Sequence, residues 1–168
     1  QLRTMPGANG DPLRAITVLP GIARSPGFSD ILVVRGSSPQ GSAVFIDGAY
    51  TPRAYHFGGL SSVVPAESAE RIDFYPGNFS ARYGRVDGGI IDVVSRSPAN
   101  DRFHVLGQVD LLDARIFAEG PMPGFKDWTF AIGARRSWLD AWLGPVLESG
   151  GVSARTAPYY YDGQVFLE

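Results

Sequence analysis

Cysteine is absent from the 168 residues, which removes disulfides, thiol nucleophiles and cysteine-ligated metal together. Histidine is nearly as scarce, with His56 and His104 the only two. No His-Glu-x-x-His spacing exists, and the two histidines are not at helical spacing for zinc. No Gly-x-Ser-x-Gly elbow occurs. The glycines of Gly84-Arg85-Val86-Asp87-Gly88-Gly89 are followed by no Lys-Ser or Lys-Thr, so they do not form a phosphate loop. They read instead as a tight turn in which glycine supplies positive φ. Asp73 and Asp92 are single acids inside strand patterns and read as solvated or hydrogen-bonded carboxylates, not as a catalytic pair. The sequence thus offers no enzyme, cofactor or metal site. A formal charge of −2 lacks the basic excess of a general nucleic-acid binder. Also missing is any apolar run near the ~18 residues of a spanning helix. Barrel strands alternate and score weakly on hydropathy, so this leaves a membrane role open. Gln1-Leu2-Arg3-Thr4 has no apolar signal-peptide core. If the protein is exported, its signal is expected to be removed or to lie outside this sequence.

What is present is enough apolar sequence for a core, with 44% hydrophobic and 19% charged residues. The 21 glycines and 13 prolines imply short elements joined by turns. Asp11 to Leu19 reads as a short helix, capped by Asp11, with Pro12 at its first position and Pro20-Gly21 ending it. Leu13, Ile16 and Leu19 form its expected buried side. Ile31 to Val34 and Val44 to Ile46 are apolar strands suited to burial on both faces, the second ended by the turn signal Asp47-Gly48. Ser37 to Ser42 is a polar loop. Ala49 to Leu60 has no periodicity and reads as an aromatic-rich loop carrying Tyr50, Tyr55, His56 and Phe57. Such side chains anchor a loop to its neighbours, or stack on a small ligand. Pro65 to Ala69 is expected to make one helical turn. Strands follow at Arg71 to Tyr75 and Ile90 to Ser95, and Ser97 to Asp101 is a boundary.

Beyond that boundary the pattern changes to strict alternation. Phe103, Val105, Gly107, Val109 and Leu111 share one side, with His104, Gln108 and Asp110 on the other and Leu106 as an exception. Ala114, Ile116 and Ala118 alternate with Arg115, Phe117 and Glu119. Trp128, Phe130, Ile132 and Ala134 alternate with Thr129, Ala131, Gly133 and Arg135. Tyr159, Tyr161, Gly163, Val165 and Leu167 alternate with Tyr160, Asp162, Gln164, Phe166 and Glu168. Two readings fit: membrane-barrel strands with aromatics at their ends, or a soluble antiparallel sheet with one wet face. Trp138 to Leu147 fits a strand end or a short amphipathic helix.

The order of the pieces is more specific than any one of them. A helix ending in Leu19-Pro20-Gly21 is followed by a strand ending in Arg35-Gly36, then Phe45-Ile46-Asp47-Gly48. Next come Ala69-Glu70-Arg71-Ile72-Asp73-Phe74-Tyr75-Pro76-Gly77, Ala81-Arg82-Tyr83-Gly84 and Gly88-Gly89-Ile90-Ile91-Asp92-Val93-Val94-Ser95. Over about residues 6–98 this series resembles the plug domain of TonB-dependent outer-membrane receptors. Glu119-Gly120-Pro121 and Arg135-Arg136-Ser137-Trp138-Leu139-Asp140 look like the opening barrel strands of the same family.

The resemblance implies an α+β plug, a small mixed sheet with short helices, over residues 1–99. It implies antiparallel strands of an incomplete transmembrane β-barrel over 100–168. The implied whole is a transporter in the outer membrane of a Gram-negative bacterium. Its plug would face the periplasm and the lumen of a barrel of about 22 strands, gating energised uptake of an external substrate. The implied partner is TonB, a periplasmic energy transducer that pulls on the plug's N-terminal segment. The remaining strands are expected from the rest of a longer chain, or from a second polypeptide. Arg35 matches the arginine of the family's Arg-Gly motif, which pairs with acids on the barrel wall; Arg82 and Arg85 are further candidates for this lock. Pro76 stands where many relatives carry a second basic residue, and no TonB box is recognisable before Met5. Loops 37–42 and 49–60 match the plug apices facing outward, which makes Gln40, Arg53, Tyr55, His56 and Phe57 substrate-contact candidates. The alternative on the same architecture is a plugged barrel with a structural, assembly-platform or export role.

Overall fold

A computed structural model of the protein describes residues 11–17, 19–24, 32–38, 41–56, 59, 61–151 and 158–168. Gln40, Phe57 and the segment before Met5 lie outside the described residues. The chain divides into two units, residues 1–96 and 97–168.

The first unit opens with α1 (Pro12–Ile16), whose start follows from its first two residues. Asp11 Oδ1 accepts the N–H of Leu13 at 2.9 Å and of Arg14 at 3.2 Å, satisfying donors that a helix N-terminus leaves open. Its Oδ2 accepts the N–H of Ser62 at 3.1 Å, so the cap also fastens the helix to a distant strand. Leu13 and Ile16 are buried as expected. Leu19 is not: the helix stops at Ile16, which leaves Leu19 off its inner face and exposed. β1 (Ile22–Arg24) and β2 (Leu32–Val34) pair antiparallel.

β3 (Ala43–Ile46) and β4 (Ala49–Thr51) form a hairpin around Asp47 and Gly48, whose φ values of 50° and 78° are the two positive angles of a type I′ turn. Asp47 also closes the end of a neighbouring strand, since its Oδ1 accepts the N–H of Ser95 at 2.8 Å. β5 (Tyr55–His56) and β6 (Ser61–Ser62) make a second ribbon. Five of the nine described residues of the expected aromatic loop are thus paired backbone, because Asp47-Gly48 turns the chain back on itself and Tyr55 packs inward. Pro65 to Ser68 makes a single turn, closed by Ser68 N–H to the Pro65 carbonyl at 3.2 Å.

That turn runs straight into β7 (Ala69–Tyr75), which pairs antiparallel with β8 (Ile90–Ser95). The main sheet has the order β4-β3-β8-β7, with β3 and β8 parallel and the other pairs antiparallel. β8 is an inner strand, and its first four residues are buried. Its alternation divides the core. Ile91 and Val93 join Leu13, Ile16, Leu32, Ala54, Tyr55 and Val64, while Ile90 joins Ala43 and Tyr83 in a smaller cluster with Phe45, Tyr75 and Phe79.

The second unit is an antiparallel meander: β9 (His104–Val109), β10 (Asp113–Pro121), β11 (Thr129–Ser137) and β12 (Tyr161–Leu167), in the order β12-β11-β10-β9. It is an open sheet, not a closed barrel. A tight turn joins β9 to β10, with Asp110 Oδ1 accepting the N–H of Leu112 at 2.8 Å and of Asp113 at 3.0 Å. Between β11 and β12 the chain forms α2 (Leu139–Ser149), which decides between the two readings of that segment. The residues entering β9 lie against β10. Ala99 N–H donates to Glu119 Oε2 at 3.2 Å, and a Cβ on Gly120 would stand 2.8 Å from the Phe103 ring.

Candidate functional site

Two regions carry polar chemistry: a pair of glycine-rich loops at one end of the first unit, and the two-faced sheet of the second. In the first unit, residues 37–42 lie against residues 84–89. Asp87 and Gly88 donate their N–H to the Gly41 carbonyl at 3.1 and 2.8 Å, and Ala43 donates to the Gly89 carbonyl at 3.0 Å. A Cβ on Gly41 would stand 2.1 Å from the Asp87 carboxylate, one on Gly88 2.4 Å from Ser37 Oγ, and one on Gly89 2.7 Å from Val34 Cγ1. This corrects the reading of Gly84, Gly88 and Gly89 as positive-φ residues. In this loop the left-handed angle belongs to Arg85, at φ 62°, whereas Gly88 and Gly89 permit close approach. Ser38, Gly41, Arg85, Val86 and Asp87 line a cavity of about 390 Å³.

The sequence candidates fall into three groups. Arg35, Arg53 and Arg85 are exposed and form no ion pair among the described residues. Arg35 sits in the left-handed region at φ 49°, and its N–H donates to the Gly21 carbonyl at 2.7 Å. Tyr55 is only 2% exposed and belongs to the main core, so its ring is not presented at the surface. His56 is half-buried on the same ribbon. Arg82 is engaged within its own unit, donating to the Tyr83 hydroxyl and lying 3.4 Å from Asp92 Oδ2.

That last contact belongs to a cluster which sequence reasoning did not anticipate. Tyr83 donates its hydroxyl to Asp92 Oδ2 at 2.7 Å. The Arg82 guanidinium lies over the Tyr83 ring, 4.5 Å from its centroid. The hydrogen bond to Arg82 lowers the Tyr83 pKa, but the bond to Asp92, burial and the Asp92 charge raise it further. The net direction is upward, so the phenol keeps its proton and remains a donor. The hydrogen bond to Tyr83 is also the main reason the Arg82 pKa is raised. Asp92 and Asp73 face each other across β7 and β8, yet Asp73 takes both its bonds from Arg71, at 3.1 and 3.3 Å. The only available signal was a charge in the middle of Ile90-Ile91-Asp92-Val93-Val94.

In the second unit the register fixes which side chains share a face. Val105, Ala118, Ile132 and Val165 form one row across all four strands, and Gly107, Ile116, Ala134 and Gly163 form the next. This apolar face is open: Val105 is 70% exposed and Val165 65%. At one end of the face stands the row Val109, Ala114, Arg136 and Tyr161, with the Tyr159 and Tyr161 rings 6.1 Å apart. At the other, Phe130 faces Leu167, with Phe103 6.1 Å from Phe130.

The opposite face is polar and internally paired. Gln108, Arg115, Arg135 and Asp162 line up across the strands. Arg115 donates to Gln108 Oε1 at 2.5 Å. Arg135 Nε donates to Asp162 Oδ2 at 2.8 Å, and a second guanidinium nitrogen pairs with the same carboxylate. Tyr160 donates to Asp113 Oδ2 at 2.6 Å, and the Arg135 guanidinium lies 5.4 Å from the Tyr160 ring centroid. A soluble sheet buries its apolar face and wets its polar one. This sheet does the reverse, as a membrane barrel wall must.

The family model for the TonB-dependent Receptor Plug Domain matches residues 2–90. The chain belongs to this family. In the plug, that match takes in α1 and the strands up to the start of β8. Among solved structures, the chain is similar to the outer membrane transporter YddB from Escherichia coli, at 14% identity and TM-score 0.54 over 81% of this chain and 25% of that one. It is similar to the siderophore receptor PirA from Pseudomonas aeruginosa, at 22% identity and TM-score 0.52 over 81% and 26%. It also matches a mutant of the ferric enterobactin receptor PfeA from the same organism, at 20% identity and TM-score 0.50 over 80% and 25%. The plug and the strands after it thus span about a quarter of the length of these solved chains. No curated protein matches the chain.

Proposed function

We propose that the chain is the plug and opening wall of a TonB-dependent receptor in the outer membrane of a Gram-negative bacterium, a transporter and not an enzyme. In this reading the plug faces the periplasm and the lumen, and gates energised uptake of an external substrate through a barrel of about 22 strands. The observation that carries it is the inverted sheet directly after a family plug. Val105, Val109, Ile116, Ile132, Val165 and Leu167 are all exposed. Each such side chain forgoes about 1.5–3 kcal/mol of burial in water, which lipid supplies. The edges of β9 and β12 take further strands of the same receptor, since unpaired backbone is not tolerated in hydrocarbon.

Within this reading Arg35 and Arg85 are the stronger lock candidates, because they are exposed and form no ion pair among the described residues, and a charge in a narrow lumen requires a carboxylate partner. Arg82 is the weaker one, being held by Tyr83 and Asp92. Arg53, His56 and Gln40 remain substrate-contact candidates, with Phe57. Tyr55 supports them from the core. A periplasmic transducer of the TonB type supplies the energy through the segment preceding α1.

The test uses the full-length receptor. It is expected in the outer-membrane fraction, heat-modifiable on gels, with uptake lost but external binding kept when the segment before α1 is removed. A full-length protein recovered in the soluble fraction overturns the reading. Uptake that survives the deletion overturns the energised part and favours the structural or export role.

A further inference from the structure

The reading of the sheet as a membrane wall leaves α2 without an assigned environment. Its apolar residues Leu139, Trp142, Leu143, Val146 and Leu147 recur at i, i+3, i+4, i+7 and i+8, which gathers them on one stripe. Leu139 is buried, Trp142, Leu143 and Leu147 are half-buried, and Val146 is 54% exposed. Ala141 and Glu148 lie on the opposite pole, both exposed. With 11 residues the helix rises only about 16 Å. No helix among the described residues is long and apolar enough to cross a membrane.

Three contacts fix where α2 sits on the sheet. It leaves β11 directly, at the end of the apolar face where Arg136 and Tyr161 pair. Asp140 of its first turn holds Arg136 of that face at 3.2 Å, so the acid nearest the apolar face is neutralised. The indole N–H groups of Trp138 and Trp142 both donate to the Leu111 carbonyl, each at 3.1 Å, tying the helix to the β9–β10 turn. With their single polar atoms satisfied, the two indoles offer only ring surface. Tryptophan and tyrosine rings beside an apolar wall have the chemistry of a membrane–water boundary, and a short amphipathic helix there lies in the plane of that boundary.

We propose that α2 is an interfacial helix, resting on the lipid surface beside the end of β11. Trp142, Leu143, Val146 and Leu147 dip toward the acyl chains, and Ala141 and Glu148 face water. The inference rests on the apolar face of the sheet being lipid-exposed.

The test places single cysteines in the full-length receptor at Leu143, Val146, Ala141, Glu148 and Val165, each carrying an environment-sensitive fluorophore. The receptor is reconstituted in phosphatidylcholine vesicles containing nitroxide lipids. Val146 packs against little, so its replacement leaves the fold intact. The Val165 label is expected to be quenched by nitroxides deep in the acyl region. The Leu143 and Val146 labels are expected to be quenched by shallow nitroxides at least twofold more than those at Ala141 and Glu148. Quenching at Val165 with equally weak quenching at all four helix positions overturns the proposal and leaves the barrel wall standing. So does self-quenching between Val146 labels that rises with receptor density, which marks a second copy as the occupant. No quenching at Val165 overturns the barrel reading itself, and the α2 proposal with it.

Discussion

Individual residues in the plug act mainly through close approach and through one buried polar cluster. Gly89 faces the fully buried Val34, whose branch carbons would lie 2.7–2.9 Å from an added Cβ. Gly89→Ala is therefore expected to destabilise the plug by about 1–3 kcal/mol, as overpacking does, read as a lower denaturant midpoint for plug unfolding in the solubilised receptor. Gly41→Ala should cost less, because the Asp87 carboxylate it meets is the end of a side chain and can swing away. Tyr83→Phe removes a donor from Asp92, which is 5% exposed, at an expected cost of about 1–3 kcal/mol. The same pair gives a pH signature. Because the folded state raises the Tyr83 pKa, the native protein holds the phenolic proton more tightly than the unfolded chain. The contribution is complete below the unfolded tyrosine value of about 10 and fades as pH rises through the higher folded value. The stability gap between wild type and Tyr83→Phe should thus be full at neutral pH and narrow in alkali. A gap that widens with alkali would contradict this.

At the scale of elements, the turn at Asp47 and Gly48 both reverses the chain and caps β8. Gly48→Val is expected to cost about 1–2 kcal/mol by forcing a branched residue into the left-handed region. Asp47→Asn, which keeps both the turn preference and an acceptor for the Ser95 N–H, should be milder than Asp47→Ala; thermal unfolding of the three variants checks the order. Such elements differ in how far they could be read from residues alone. α1, β3, β7 and β8 announced themselves through a cap, a proline or an apolar run. β1, with three residues, and the two-residue β5 and β6 are too short to show a period, and they exist because partners distant in sequence pair with them. Tyr55 looked like a ligand-binding aromatic for the same reason: only the packing of α1 and β8 around it shows that its ring is core. The Tyr83–Asp92 bond joins residues nine apart across a loop, and the acid inside the apolar run at 90–94 signals a polar partner without naming Tyr83. The two faces of β9 to β12 were legible from alternation. Which face meets solvent was not, because period 2 has no sign.

For the molecule as a whole, the inverted sheet makes opposite predictions for its two sides. Ile132→Lys or Val165→Lys places a charge on the apolar face, at a cost of about 2–4 kcal/mol if that face is near mid-membrane. Outer-membrane assembly of the full-length receptor should fall, read from its heat-modifiable fraction. Gln164→Lys, one position away on the polar face, should lower assembly less. Equal effects would mean that the faces are not distinguished by lipid. The plug carries a further consequence, one of timing. Its last strand, β8, is not at an edge but between β3 and β7, and it alone joins them. A chain crossing a membrane N-terminus first delivers two separate halves of the sheet, and neither can close until residues 90–95 arrive. The first strand of the wall begins only nine residues after β8 ends. Completion of the plug sheet and the start of the strands that follow it are thereby forced into nearly the same moment of the protein's assembly.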